Sequence, residues 1–149
     1  MSRGRKNNIK ERIMEYNKKE LAELACKARL KAYSPYSDFC VGAALLCSDG
    51  KIYTGANIEN ASYGACNCAE RTAIFNAVNE GRRDFCAIAI VGSKRGEEIT
   101  SLCAPCGICR QVMAEFCPGD FEILLYDGKE IKTYTLSSLL PESFDKSNL

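Results

Sequence analysis

Residues 39–56 read FCVGAALLCSDGKIYTGA, and the fold turns on how this stretch is read. Phe39 to Cys47 is a short, unbroken apolar run, the pattern of a buried strand. Ser48, Asp49 and Gly50 follow as a turn signal. Lys51 to Ala56 then resumes as a second strand, so the two runs form a hairpin.

On the N-terminal side, Asn17 with Glu20 three residues later marks a helix start. Leu21, Leu24, Ala25, Ala28 and Leu30 continue it as an apolar stripe. The helix must stop before Ser34-Pro35, because a residue preceding proline avoids helical angles. On the C-terminal side, Asn57 to Cys66 has no period and reads as a loop. The run from Ala69 is helical, with Gly81 as its C-terminal cap. Phe85 to Val91 is a third strand and Gly92 to Leu102 a polar loop. A helix follows Pro105, since proline suits a first turn. Phe121 to Tyr126 and Glu130 to Thr135 flank Asp127-Gly128 as another hairpin, and Leu136 to Leu140 is a short last helix. This order predicts a three-layer α/β/α domain with a five-stranded mixed sheet over residues 17–149, behind a basic tail over 1–16.

The whole chain has 149 residues and is 46% apolar, enough for one domain with its own core. Its net charge of +1 argues against a polyphosphate-binding surface, so no nucleic-acid partner is expected. The exception is Met1 to Lys10, where Arg3, Arg5, Lys6 and Lys10 make a basic run that reads as a solvated terminus. No apolar stretch is long enough to span a membrane, and the basic start leads into no apolar run. A cytoplasmic protein is therefore expected. Ten cysteines would suggest disulfides in a small secreted chain, but here they read as thiols. Cys40, Cys47 and Cys86 sit inside apolar runs as small hydrophobes.

The cysteines at short spacing are metal candidates. Cys106-Gly107-Ile108-Cys109 is a Cys-x-x-Cys at a predicted helix start; taken alone it fits a redox pair, two ligands or core filler. The chain has no histidine, so a further protein ligand should be another cysteine. Cys68 stands at a second predicted helix start, where backbone N–H groups favour a thiolate. Three sulfurs plus an open position describe a catalytic zinc; Cys66 as a fourth ligand would make the site structural. Glu70, two residues after Cys68, can approach the open position without being a ligand and shuttle a proton there. Three thiolates on a divalent ion leave a net negative charge, and Arg71 and Arg110 directly follow the metal segments as candidates to offset it.

Cys68-Ala69-Glu70 with Pro105-Cys106-Gly107-Ile108-Cys109 resembles the zinc deaminase signature in its three-cysteine form. The longer segments are similar to the small homotetrameric cytidine deaminases: Tyr33-Ser34-Pro35-Tyr36-Ser37, Val41-Gly42-Ala43-Ala44-Leu45, Asn57-Ile58-Glu59-Asn60-Ala61-Ser62-Tyr63, Cys68 to Ala73, and Cys109-Arg110-Gln111-Val112-Met113. Leu139-Leu140-Pro141 with Phe144 matches their C-terminal end. Cys40 departs from the pattern, standing where many relatives carry proline.

The resemblance implies hydrolytic deamination of cytidine and deoxycytidine, in pyrimidine salvage, with one zinc per subunit of a homotetramer. Cys68, Cys106 and Cys109 would hold the zinc and Glu70 would move protons. Asn57 and Glu59 would bind the ribose 3′-hydroxyl, with Ala61 also contacting substrate. The backbones of Ala69 and Ala104 would read the base edge, and Phe39 would stack on it. Arg71 would drain charge from the sulfurs. Tyr63 and Phe144 would reach a neighbouring subunit's pocket. Without the resemblance, Phe39 reads as a strand-edge core residue, Asn57 as a turn residue and Glu59 as a surface charge. The same pocket would also suit a nucleoside antibiotic of the blasticidin type, and a structural zinc module or a nucleic-acid base editor are the rival classes.

Overall fold

The computed structural model describes residues 16–149. The basic run over 1–10 therefore lies outside the described residues. The first helix, α1 (Lys18–Arg29), begins as the sequence predicts: Asn17 Oδ1 accepts from the Glu20 N–H at 3.1 Å. Its apolar stripe is Leu21, Ala22, Ala25 and Ala28, all buried.

The hairpin is β1 (Phe39–Cys47) and β2 (Ile52–Ala56), paired antiparallel with Ala43 opposite Gly55. Then come α2 (Ala69–Asn79), β3 (Phe85–Lys94), α3 (Gly107–Phe116), β4 (Glu122–Tyr126), β5 (Ile131–Thr135) and the short α4 (Leu136–Leu139). The strands form one five-stranded sheet in the order β2-β1-β3-β4-β5. Only β3 and β4 run parallel, joined through α3, so the sheet is mixed as expected.

Alternation along the strands divides the core. Ala43 and Leu45 of β1, Ile88 and Ile90 of β3, and Ile123 and Leu125 of β4 pack against α2 and α3. Ala44, Leu46, Ala87, Ala89, Val91 and Leu124 face α1 on the other side. The result is three layers, helix on sheet on helices. Two glycines set the layer spacing. A Cβ on Gly42 would enter the backbone of α1 at Ala25 and Arg29. One on Gly55 would lie 2.5 Å from Ala73 N and 2.6 Å from Ala69 O of α2. Both helices thus lie directly on the hairpin.

β3 is longer than its apolar run. It continues through Gly92, Ser93 and Lys94 because β1 pairs with it as far as Phe39 opposite Lys94. The polar character of Ser93 and Lys94 hides this extension, which the β1 partner stabilises. The loop over 57–66 contains one short 3₁₀ turn, Tyr63–Ala65. Among the described residues no helix is long and apolar enough to cross a membrane.

Candidate active site

Cys68 and Cys106 are the N-cap residues of α2 and α3, each in extended backbone geometry with no side-chain capping bond. The two helix starts face each other, so their unpaired N–H groups and positive dipole ends converge on the sulfurs. The Sγ atoms of Cys68, Cys106 and Cys109 all lie within 4.8 Å of one another, and Cys68 and Cys106 are 3.7 Å apart. Tetrahedral zinc with Zn–S bonds of about 2.3 Å separates two sulfurs by about 3.8 Å, so this donor set fits the ion.

Cys66 does not join them. Its sulfur accepts from the Asn60 N–H at 3.2 Å, and its thiol faces the Asn60 carbonyl at 3.6 Å, which closes the loop ahead of α2. Among the described residues the metal-competent group therefore has three sulfurs.

The charge pattern of the trio is uneven. Cys68 accepts from the Cys109 thiol and from Arg71 Nη2 at 3.4 Å, which together draw its pKa down to about 5. Cys109, hydrogen-bonded to Cys68 and fully buried, is pushed strongly the other way. Arg71 is thus the cation that serves the sulfurs. Arg110 spends its guanidinium elsewhere: Nε donates to the Pro105 carbonyl at 2.8 Å and Nη1 to the Leu139 carbonyl at 2.7 Å.

Glu70 sits in the first turn of α2 and is only 3% exposed. Burial raises its carboxyl to about 6, and the negative Cys68 adds to the effect. A carboxyl near neutrality is suited to passing protons in both directions.

Beside the sulfurs lies a cavity of about 210 Å³. Asn57, Glu59, Ala69, Glu70 and Ala104 line it with Cys68 and Cys106. Five of the candidate substrate and proton-transfer residues, drawn from three separate segments, thus meet at the metal-competent cluster. The others lie outside its lining. Phe39 is half-exposed, with its ring over Gly92 beside Cys103, a cavity wall. Ala61 is exposed. Tyr63 and Phe144 are 76% and 61% exposed. Val41 and Cys103 also line the cavity, and sequence reasoning missed them. Only the alternation of β1 could have flagged Val41.

Glu59 and Asn57 are held tightly. Glu59 Oε1 accepts from the Tyr36 and Ser37 N–H groups at 3.0 and 3.1 Å, and Oε2 from Ser37 Oγ at 2.6 Å. The Ser37 hydroxyl, chiefly, keeps this carboxyl below the usual range, so it stays an ionised acceptor. Asn57 Oδ1 accepts from Val41 N–H at 2.8 Å and Nδ2 donates to the Phe39 carbonyl at 2.8 Å. One amide hydrogen of Asn57 is left for a ligand.

The chain matches the cytidine and deoxycytidylate deaminase zinc-binding region over residues 15–124. It belongs to the cytidine and deoxycytidylate deaminase family. A cytidine deaminase of Halalkalibacterium halodurans is 52% identical over 130 residues, 87% of this chain and 95% of that one. The crystal structure of cytidine deaminase from Burkholderia pseudomallei is 48% identical and superposes with a TM-score of 0.79, covering 87% of this chain and all (100%) of that one. A blasticidin-S deaminase of Bacillus cereus is 30% identical over 86% of this chain and 92% of its own. The family's zinc-binding region thus coincides with the three-sulfur group, and zinc is the metal of this site.

Proposed function

We propose that this chain is a zinc-dependent hydrolase that converts cytidine and deoxycytidine to uridine and deoxyuridine with release of ammonia. The observation that carries this reading is a buried acid opening onto the same cavity as a three-sulfur donor set. Cys68, Cys106 and Cys109 would hold zinc, which supplies Lewis acidity and makes water nucleophilic at neutral pH.

Glu70 takes the proton of the attacking water and delivers it to N3 of the pyrimidine as C4 becomes tetrahedral. It then takes the remaining proton from the new C4 hydroxyl and passes it to the amino group, so that the C4–N bond breaks, ammonia leaves and C4 becomes a carbonyl. Its near-neutral pKa supports both directions of transfer. The Ala69 N–H and the Ala104 carbonyl read the base edge. Asn57 donates to the sugar hydroxyl and the ionised Glu59 accepts from it. An anionic Glu59 also disfavours a sugar phosphate, so a nucleoside is the substrate and not a nucleotide.

A second copy completes the pocket in this reading. Tyr63 and Phe144 are exposed aromatics next to the loops that bear Glu59 and the α3 start, and Gln111 of α3 fixes the Phe144 carbonyl at 2.7 Å. A homotetramer built on these faces is the proposed assembly. None of the ten cysteines is in a disulfide, which supports the reducing cytoplasm as the compartment. Residues 17–149 are read as one catalytic domain behind the basic N-terminal segment.

The test pairs zinc quantification with an absorbance assay for loss of cytidine on purified protein. About one zinc per chain with cytidine and deoxycytidine turnover is expected. Parallel assays with blasticidin S address the relative named for that substrate. Turnover of the antibiotic without turnover of cytidine would overturn the substrate assignment.

A further inference from the structure

The turn that holds Glu59 has its own anchor, outside the cavity and far along the chain. Ser34 to Asp38 folds back on itself, with the Asp38 N–H donating to the Ser34 carbonyl at 3.0 Å. Asp38 closes the turn at φ +59, the left-handed region, which Asp tolerates better than most residues but does not prefer. Arg95, just past the end of β3, grips both ends of this turn. Its Nε donates to Asp38 Oδ1 at 2.9 Å and its Nη2 to Ser34 Oγ at 3.2 Å. Its backbone N–H also donates to the Asp38 carbonyl at 2.9 Å. The Ser34 side chain is fully buried, so the serine end of this contact is fixed in place.

Between the two gripped residues sit the groups that orient Glu59: the N–H groups of Tyr36 and Ser37 and the Ser37 hydroxyl. The same hydroxyl accepts from the Phe39 N–H at 3.1 Å, tying the turn to the first residue of β1. Glu59 has no cation bonded to its carboxylate among the described contacts; its side-chain hydrogen bonds all come from this turn, and Arg95 adds an attraction through space.

From this geometry we infer that Arg95 is a positioning residue for sugar recognition, acting through the 34–38 turn on Glu59. The inference rests on Glu59 contacting the ribose 3′-hydroxyl. The planar guanidinium matters as a two-point fork that fixes the turn's shape. As an exposed ion pair it adds little to stability. Loss of the fork lets the turn relax at Asp38 and lets the Glu59 carboxylate swing from its aimed position. Glu70 and the sulfurs lie on α2 and α3, which the turn does not carry, so the chemical step is spared.

The test compares cytidine with 3′-deoxycytidine in the zinc-loaded wild-type enzyme, Arg95→Ala, Glu59→Gln and the double variant. Arg95→Ala is expected to raise KM for cytidine about tenfold with kcat within about twofold, the loss of one well-aimed bond to a charged group. The ratio of kcat/KM for cytidine over 3′-deoxycytidine should fall about tenfold as well. The double variant should show the same ratio as Glu59→Gln, because Arg95 acts only through Glu59. A merely structural role would lower kcat/KM for both nucleosides alike and leave the ratio where it was, which overturns the inference. If Glu59→Gln lowers the ratio and Arg95→Ala does not, only the Arg95 role fails. If Glu59→Gln leaves the ratio unchanged, the sugar reading of Glu59 fails and takes the Arg95 role with it.

Discussion

Gly55→Ala should damage an active site that it does not touch. The new Cβ would lie 2.5 Å from Ala73 N, 2.6 Å from Ala69 O and 2.9 Å from Thr72 Cβ. All three atoms belong to α2, and two of them are backbone, so no side-chain rotation relieves the clash. Ordinary contact requires α2 to withdraw from the sheet by roughly 1 Å. Overpacking of this kind costs about 1–3 kcal/mol of stability. The clash falls on the first turn of α2, beside Cys68 and Glu70, while Cys106 and Cys109 stay on α3. A displacement of that size in a catalytic constellation can cost about a hundredfold in rate. Zinc per chain, the urea midpoint with and without chelator, and kcat/KM for cytidine should all be measured. Gly64→Ala serves as the control, since a Cβ there meets nothing within 4 Å. Wild-type zinc content and rate in Gly55→Ala, with an unchanged urea midpoint, would refute the claim that α2 is positioned by contact with Gly55.

Gly42→Ala should produce the opposite split: it presses on α1, on the far face, so stability should fall by about 1–3 kcal/mol in urea unfolding while zinc content is retained. Glu70→Gln should bind zinc normally and lose activity by at least about a hundredfold, checked by metal analysis and initial rates. Cys106→Ala should purify largely free of zinc, since two sulfurs remain where three are needed. Glu70 also predicts a pH effect in the chelated protein. Its folded pKa of about 6 lies above the unfolded value of about 4.3, so the native state holds the extra proton between them. That contribution favours folding below about pH 4.3 and is lost as pH rises through about 6. Chelated Glu70→Gln should therefore gain on chelated wild type by on the order of 2 kcal/mol between pH 4.5 and 7.5, read from urea midpoints. An equal gap at both pH values would count against a buried carboxyl.

The sequence by itself determined the elements and the metal chemistry. Asn17 capped α1, proline and glycine marked the breaks, and the apolar run of β1 announced a strand buried on both faces. Such signals are legible because they act within a few residues: a cap bonds to its own first turn, and alternation follows the pleat. The grouping of the three cysteines beside Glu70 was legible for a related reason. Their positions at helix starts follow from local spacing, and with no histidine present a further donor was to be sought among the cysteines.

Tertiary structure decided how the segments meet. That Asn57 uses most of its amide on the β1 backbone, that β3 runs on through polar Ser93 and Lys94, and that Arg71 rather than Arg110 serves the sulfurs all depend on atoms brought together from elsewhere in the chain. Arg95 and the turn it grips are 57 residues apart at Asp38, and no local pattern links them. Such contacts follow from sheet register and helix placement, which are set when the whole core packs and every buried polar group must find its partner at once.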